Sequence, residues 1–193
     1  MKILILASGR GSNARAILNN IKEGNIPETE VYGIFSDFPD APALDIAKEF
    51  GIVSRFVDPM KKGARFSPEG TQNYLDAFDE ALPDLIVLAG FMRILPPEIV
   101  EKWQGKIINL HPSLLPAYKG IRAIERTFEA GEKFGGCSVH YVSNELDGGE
   151  IIAQSKIEIL PNDTLESYET RLHAEEHKLL PAVIAKFAKG EIA

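Results

Sequence analysis

Leu85-Ile86-Val87-Leu88 is apolar on both faces of any strand it forms. A strand buried on both sides belongs at the centre of a parallel sheet covered by helices, so this short run constrains the chain to an α/β architecture. The rest of the sequence reads in step with it. Lys2 to Ala7 is an apolar run closed by Ser8-Gly9-Arg10-Gly11-Ser12-Asn13, after which Ala16, Ile17, Asn20 and Ile21 recur at helical spacing, which predicts strand, tight loop, helix. Val31 to Phe35 repeats the buried-strand pattern before Ser36-Asp37, Ala43 to Phe50 reads as a helix ended by Gly51, and Val53 to Val57 as a third strand. A polar stretch from Pro59 to Thr71 carries Lys61, Lys62 and Arg65. Tyr74, Phe78 and Leu82 then mark the apolar face of a helix that feeds the strand Asp84 to Ala89.

Past Gly90 the pattern predicts a short helix to Trp103, a strand from Lys106 to Leu110 ending at His111-Pro112, a loop from Leu114 to Gly120, and a helix from Ala123 to Ala130. Cys137 to Val142 and Ile151 to Ile159 read as two strands joined by Asn144 to Glu150. Asp163, three residues before Glu166, reads as a capping pair for a C-terminal helix that Pro181 should interrupt or kink. No repeat, low-complexity tract or linker breaks the alternation. The expected architecture is one α/β domain over residues 1–193, an open, mainly parallel sheet with helices on both faces. Such sheets bind ligands beyond the carboxyl ends of their strands, which selects the loop after Ala7 and the one starting near Asn109.

Charge and cysteine content narrow the partners. With 21 Lys and Arg against 28 Asp and Glu, the net charge is -7, and no global positive field exists to gather nucleic-acid phosphates. An anionic ligand must be met by a few local groups. The single Cys137 excludes an intrachain disulfide, and the start runs from Met1 to Ser8-Gly9 without a signal-peptide h-region. No apolar run approaches the roughly 20 residues of a membrane helix. The expectation is a cytoplasmic protein, monomer or homodimer, acting on small molecules rather than on nucleic acid or membrane.

Two constellations carry chemistry. Gly9-Arg10-Gly11-Ser12-Asn13-Ala14 matches G-x-G-x-x-A between strand and helix, where backbone N–H groups form an anion seat. With Asp37 just past the second strand, a nicotinamide-dinucleotide reading stays open, as does a plain glycine turn; Ser12 and Asn13 favour anion binding without a dinucleotide. The second is Asn109-Leu110-His111-Pro112-Ser113-Leu114-Leu115-Pro116, followed by Leu146-Asp147-Gly148-Gly149. Asn109 and His111, two apart at a strand end, point to the same side, and a carboxamide beside an imidazole suits a developing oxyanion. Asp147 could orient the imidazole, although His-Pro and Leu-Asp-Gly-Gly also make ordinary turns. His173 and His177 lie i, i+4 on a helix, but no third metal ligand is evident nearby. Cys137 and His140 are three apart on a strand and therefore on opposite faces, which leaves Cys137 as a small core residue.

Ser8-Gly9-x-Gly11-Ser12-Asn13, Leu88-Ala89-Gly90-Phe91-Met92-Arg93-Ile94-Leu95, the Asn109 to Pro116 motif, and Ser138-Val139-His140 with Leu146-Asp147-Gly148-Gly149 occur in that order over nearly the whole chain. This set resembles the phosphoribosylglycinamide formyltransferases, a folate-dependent family of purine biosynthesis. The resemblance implies a Rossmann-like formyltransferase fold and transfer of a formyl group from the cosubstrate 10-formyltetrahydrofolate to the amine of glycinamide ribonucleotide, without a metal. It implies Asn109, His111 and Asp147 as the catalytic set. Gly11, Ser12 and Asn13 would hold the substrate phosphate and Glu176 its ribose, while Met92, Arg93, Ile94, Leu95, Asn109, Asn144 and Asp147 would line the folate pocket. The sequence departs from the family at His173, where a Lys is often found near the phosphate, with Arg171 as a possible substitute; Arg65 is a weaker ligand candidate. Formyltetrahydrofolate hydrolases and methionyl-tRNA formyltransferases share the formyl-folate residues, but are expected to carry a further domain. From other classes, an NAD-binding oxidoreductase and a non-catalytic nucleotide-binding module remain as alternatives.

Overall fold

In a computed structural model describing residues 1–192, the apolar runs form seven strands of one sheet. These are β1 (Lys2–Leu6), β2 (Glu30–Ser36), β3 (Val53–Phe56), β4 (Leu85–Leu88), β5 (Ile107–His111), β6 (Phe134–Tyr141) and β7 (Ile151–Glu158). Between and after them run α1 (Ser12–Lys22), α2 (Pro42–Glu49), α3 (Pro68–Ala81), α4 (Pro97–Lys102), α5 (Ala123–Glu129) and α6 (Leu165–Ala188). The strand order is β3-β2-β1-β4-β5-β6-β7. The first five strands in that order are parallel, and β6 and β7 run antiparallel at one edge.

Side-chain alternation divides the core between the two faces. Ile3, Ile5, Leu85 and Val87 pack with residues of α1, α2 and α6, whereas Leu4, Leu6, Ile86 and Leu88 pack with residues of α3 and α4. The four residues of β4 are thus buried on both sides, as the opening motif demands. Among the described residues, no helix is long and apolar enough to cross a membrane.

Several element ends differ from the sequence pattern. α3 begins inside the polar stretch because Ser67 caps it, accepting the Gly70 N–H at 3.0 Å, with Pro68 in the first turn. Leu82 continues the i, i+4 spacing of Tyr74 and Phe78 but caps the helix at φ 45° and is 66% exposed, so it leaves the buried face. At α6 the capping box is Thr164 with Ser167, not Asp163 with Glu166; Asp163 instead accepts from Leu160 N–H and the Ser167 hydroxyl. α6 also runs unbroken through Pro181, which has no N–H to give to the helix and is buried. β6 starts before Cys137, through Gly135 and Gly136, which the sequence pattern left out. At Gly136 an added Cβ would run into the Ser155 carbonyl of β7 and lie 2.7 Å from the Leu114 side chain, so close approach of the neighbouring strand explains glycine in a strand.

β1 sends its crossover to β2 on one side, while β4 lies on the other, and at this switch point the loops after β1 and β4 meet. Ser8 N–H donates to Gly90 O at 3.0 Å and Ala89 N–H to Leu6 O at 2.9 Å. The loop after β5 opens on the same side.

Candidate active site

β5 ends in Asn109-Leu110-His111, and the antiparallel pairing with β6 sets His140 opposite Asn109 and Ser138 opposite His111. Residues directly opposite share a face, so all four side chains stand on one side. His140 Nδ1 is 2.8 Å from the Tyr141 carbonyl, an acceptor only; in the neutral ring Nε2 is therefore left to accept from Asn109 Nδ2 at 3.1 Å. The same reasoning makes His111 Nε2 a donor, to the Tyr118 carbonyl at 3.0 Å. His111 Nδ1 faces Asp147 Oδ2 at 3.4 Å, and Asn109 Nδ2 lies 3.5 Å from Asp147 Oδ1. The structure thus brings together Asn109, His111 and Asp147, residues separated by 38 positions at the extremes.

Asp147 reaches them from the β6–β7 loop, where its own φ of 47° turns the chain sharply back. Gly120 N–H donates to its Oδ2 at 2.8 Å. Burial, the largest influence, pushes this carboxyl's pKa up, but His140 and His111 in their protonated forms, with the Gly120 N–H, together outweigh it and hold the group below the ordinary carboxylate value. His140 and the Tyr118 carbonyl were not among the residues expected here. His140 stood in the quoted Ser138-Val139-His140 motif without a role, and neither contact was legible, because the antiparallel register and the return of the 113–120 loop are long-range features.

The glycine loop meets the start of α1. Gly11 caps the helix at φ 73°, and a Cβ there would lie 2.8 Å from Ala43 Cβ and 2.9 Å from its Cα, so this glycine is required by the fold itself. α1 has no side-chain cap, and its first internal bond is from Arg15 N–H to Gly11 O at 2.9 Å. Ser12 is exposed, and Asn13 Nδ2 donates to Glu176 Oε2 at 3.0 Å. Glu176 is 3% exposed, unlike the rest of the acidic face of α6. His173 Nδ1 is 2.9 Å from the same Oε2, and its Nε2 is 3.3 Å from Glu169. The hydrogen bond to Glu176 raises the His173 pKa against the opposing effect of burial. Arg171 bonds to Asp163 and to the Glu158 carbonyl and does not join this cluster. Glu175, on the same helix, accepts from the Ser155 hydroxyl at 3.1 Å.

Just past β2, Asp37 is buried against Arg93 from the loop after β4, with Nε to Oδ2 at 2.6 Å, and accepts the Ser8 hydroxyl at 2.5 Å. With its side chain fully buried behind these partners, this carboxylate is not presented to a ribose, which removes the feature that made a dinucleotide reading attractive. Arg93 Nη1 also donates to the carbonyls of Lys61 and Gly63, so its guanidinium holds the 61–65 segment, on which Arg65 is exposed. Met92 is 68% exposed and Ile94 37%, while Leu95 is buried. A cavity of about 650 Å³ lies beside Met92 and Arg93, walled by Phe38, Met60 and Lys61. It adjoins the loop after β4 and does not include the Asn109 cluster. Asn144 is exposed on the β6–β7 loop. Cys137 is fully buried, and burial pushes its thiol pKa up to about 12, so it is no nucleophile. Among the described residues, no group of three or more His, Cys, Asp or Glu is arranged to hold a metal ion.

The chain matches the sequence pattern of the formyl transferase family over residues 1–184. It is similar to the phosphoribosylglycinamide formyltransferase of Escherichia coli strain K12, 38% identical over 192 residues that cover 100% of this chain and 89% of that protein. To the enzyme of the same name from Bacillus subtilis strain 168 it is 41% identical over 191 residues, covering 95% of this chain and 92% of that one. Glycinamide ribonucleotide transformylase 1 from Symbiobacterium toebii has the same fold, with a TM-score of 0.92 at 36% identity over 100% of this chain and 90% of that one.

Proposed function

The chain belongs to the formyl transferase family, and from that premise we propose that it transfers the formyl group of 10-formyltetrahydrofolate to the amine of glycinamide ribonucleotide. The observation that carries the reading is the convergence of Asn109, His111 and Asp147 at the end of β5. Asn109 Nδ2 faces Asp147 at 3.5 Å and His111 Nδ1 at 3.4 Å, the latter as a donor only in the protonated ring, so either can turn to an oxyanion without breaking a strong bond to the carboxylate.

In this reading the neutral amine attacks the formyl carbon, the new C–N bond forms, and the old bond to the folate nitrogen breaks. Asn109 N–H and the imidazolium of His111 stabilise the oxyanion between these events. Asp147, kept ionised by its neighbours, helps carry the proton from the attacking amine to the departing nitrogen. His140 holds the Asn109 amide with its nitrogen toward the site. The uncapped start of α1, with Ser12 and Asn13, receives the phosphate, and Glu176 the ribose. Met92, Ile94, Leu95 and Asn144 border the folate site; Arg93 contributes by shaping its rim rather than through a free guanidinium. The continuous sheet supports a single formyltransferase domain, and the free, buried Cys137 is consistent with a reducing cytoplasm.

Incubation with 10-formyl-dideazafolate and three alternative acceptors tests the proposal. Formylation of glycinamide ribonucleotide, and not of initiator methionyl-tRNA or water, is expected. Loss of the formyl group to water alone would make the protein a hydrolase.

A further inference from the structure

We infer that Gln154, on the edge strand β7, is a positioning residue for His111, acting through Ser138 and the loop that follows β5. His111, Ser138 and Gln154 are paired in register across β5, β6 and β7 and form one row on one face of the sheet. Gln154 Nε2 donates to Ser138 Oγ at 2.7 Å and to the Leu115 carbonyl at 3.0 Å. Ser138 Oγ also accepts from Leu115 N–H at 3.0 Å. Both its lone pairs are therefore filled by donors, and its one hydrogen goes to the Ser113 carbonyl at 2.6 Å.

Leu115 is thus held at its N–H by Ser138 and at its carbonyl by Gln154. The Ser113 hydroxyl, donating to Ala117 O at 2.6 Å, closes the next turn. From this anchored bend the chain returns to place Tyr118 O on His111 Nε2 at 3.0 Å and Gly120 N–H on Asp147 Oδ2 at 2.8 Å. Two groups of the reacting cluster therefore depend on a loop whose far anchor is an amide on the outermost strand. Gln154 is itself an exposed residue, so its removal disturbs the loop without opening a hole in the core. Ser138, by contrast, is fully buried.

Gln154→Met keeps the length of the side chain and removes both donors. NMR of the ligand-free protein should show the His111 Nε2–H exchanging with water about tenfold faster than in wild type, because its carbonyl partner is no longer held in place. In the kinetic assay, which rests on the formyl-transfer reading, kcat should fall about tenfold while KM for both substrates changes by less than about twofold. Unchanged exchange at His111 overturns the proposal, as does an equal rise in both KM values at constant kcat. Should Gln154→Met fail to fold, Ser138→Ala, which removes the same anchor from β6, is read by the same two measurements with the same criteria. A wild-type protein that transfers no formyl group would refute the proposed function, while the exchange measurement, made without substrates, still decides the role of Gln154.

Discussion

At Asp147 a carboxylate keeps its charge in a site where burial opposes it, and only its three neighbours explain why. Because its pKa is lowered on folding, the stabilisation it contributes is complete above the ordinary carboxylate value and is lost as pH falls through the folded one. Asp147→Asn should lower turnover on the order of 10²-fold or more, and the variant's thermal stability should approach that of wild type at strongly acidic pH. Turnover within twofold of wild type in a folded Asp147→Asn protein would reduce the residue to a turn former. Asn109→Ala should cost 10²-fold to 10³-fold in kcat, roughly the effect of one oxyanion donor, with little change in folate affinity. The pairing of Asn109 with His111 was legible from their spacing of two on a strand. That Asp147 meets both was not, because nothing local specifies how a loop beyond β6 folds back; its glycine-flanked carboxylate nominated it and the resemblance added to that.

The elements decide which substitutions report on a ligand and which on the fold. Gly11 looks like part of an anion seat, yet its positive φ and the approach of α2 mean that Gly11→Ala should destabilise the protein by about 2–3 kcal/mol, seen as a lower Tm with or without ligands. Ser12→Ala, at an exposed position without a capping bond, should leave the unfolding free energy within about 0.5 kcal/mol of wild type and weaken binding of only the phosphate-bearing substrate. On α6, the raised pKa of His173 works in the opposite sense to that of Asp147. The stabilisation from its bonds to Glu176 and Glu169 is fully present below the ordinary histidine value of 6.5 and disappears as pH rises through the folded value. Wild type minus His173→Gln in Tm should therefore be positive at acidic pH and shrink toward zero in mild alkali; a difference that grows with pH would contradict the assignment. Helix and strand periodicity made most elements readable. Apart from Pro181, which α6 absorbs in its interior, the misses fell at ends, where a single cap such as Ser67 or Thr164, or a left-handed residue such as Leu82, outweighs the hydrophobic pattern.

Across the whole molecule, the alternation of apolar strands and amphipathic helices announced a layered sheet, but not its order. The placement of β1 beside β4, which joins the loops after both strands, and the reversal at β6, which brings His140 to Asn109, depend on contacts between distant segments. This arrangement also separates the ligand classes. A folate analogue at 100 times its dissociation constant should stabilise the protein by roughly 2.7 kcal/mol, whereas NAD at millimolar concentration should leave Tm unchanged, since Asp37 is committed to Arg93 and Ser8. A thermal shift with NAD alone would reopen the dinucleotide reading.

The Arg93 guanidinium also limits how the rim of the cleft can be rebuilt. It binds the Asp37 carboxylate after β2 and the carbonyls of Lys61 and Gly63 after β3, while itself following β4. Three surface loops therefore share one rivet, and none is a separable module. A loop taken from a relative in place of residues 59–66 would fit only if its carbonyls met the same fork, and Lys, with a single ammonium, could not span those partners. In a library of loop grafts, functional clones should retain Arg at position 93 together with Asp at 37, so that the three segments are inherited as one unit.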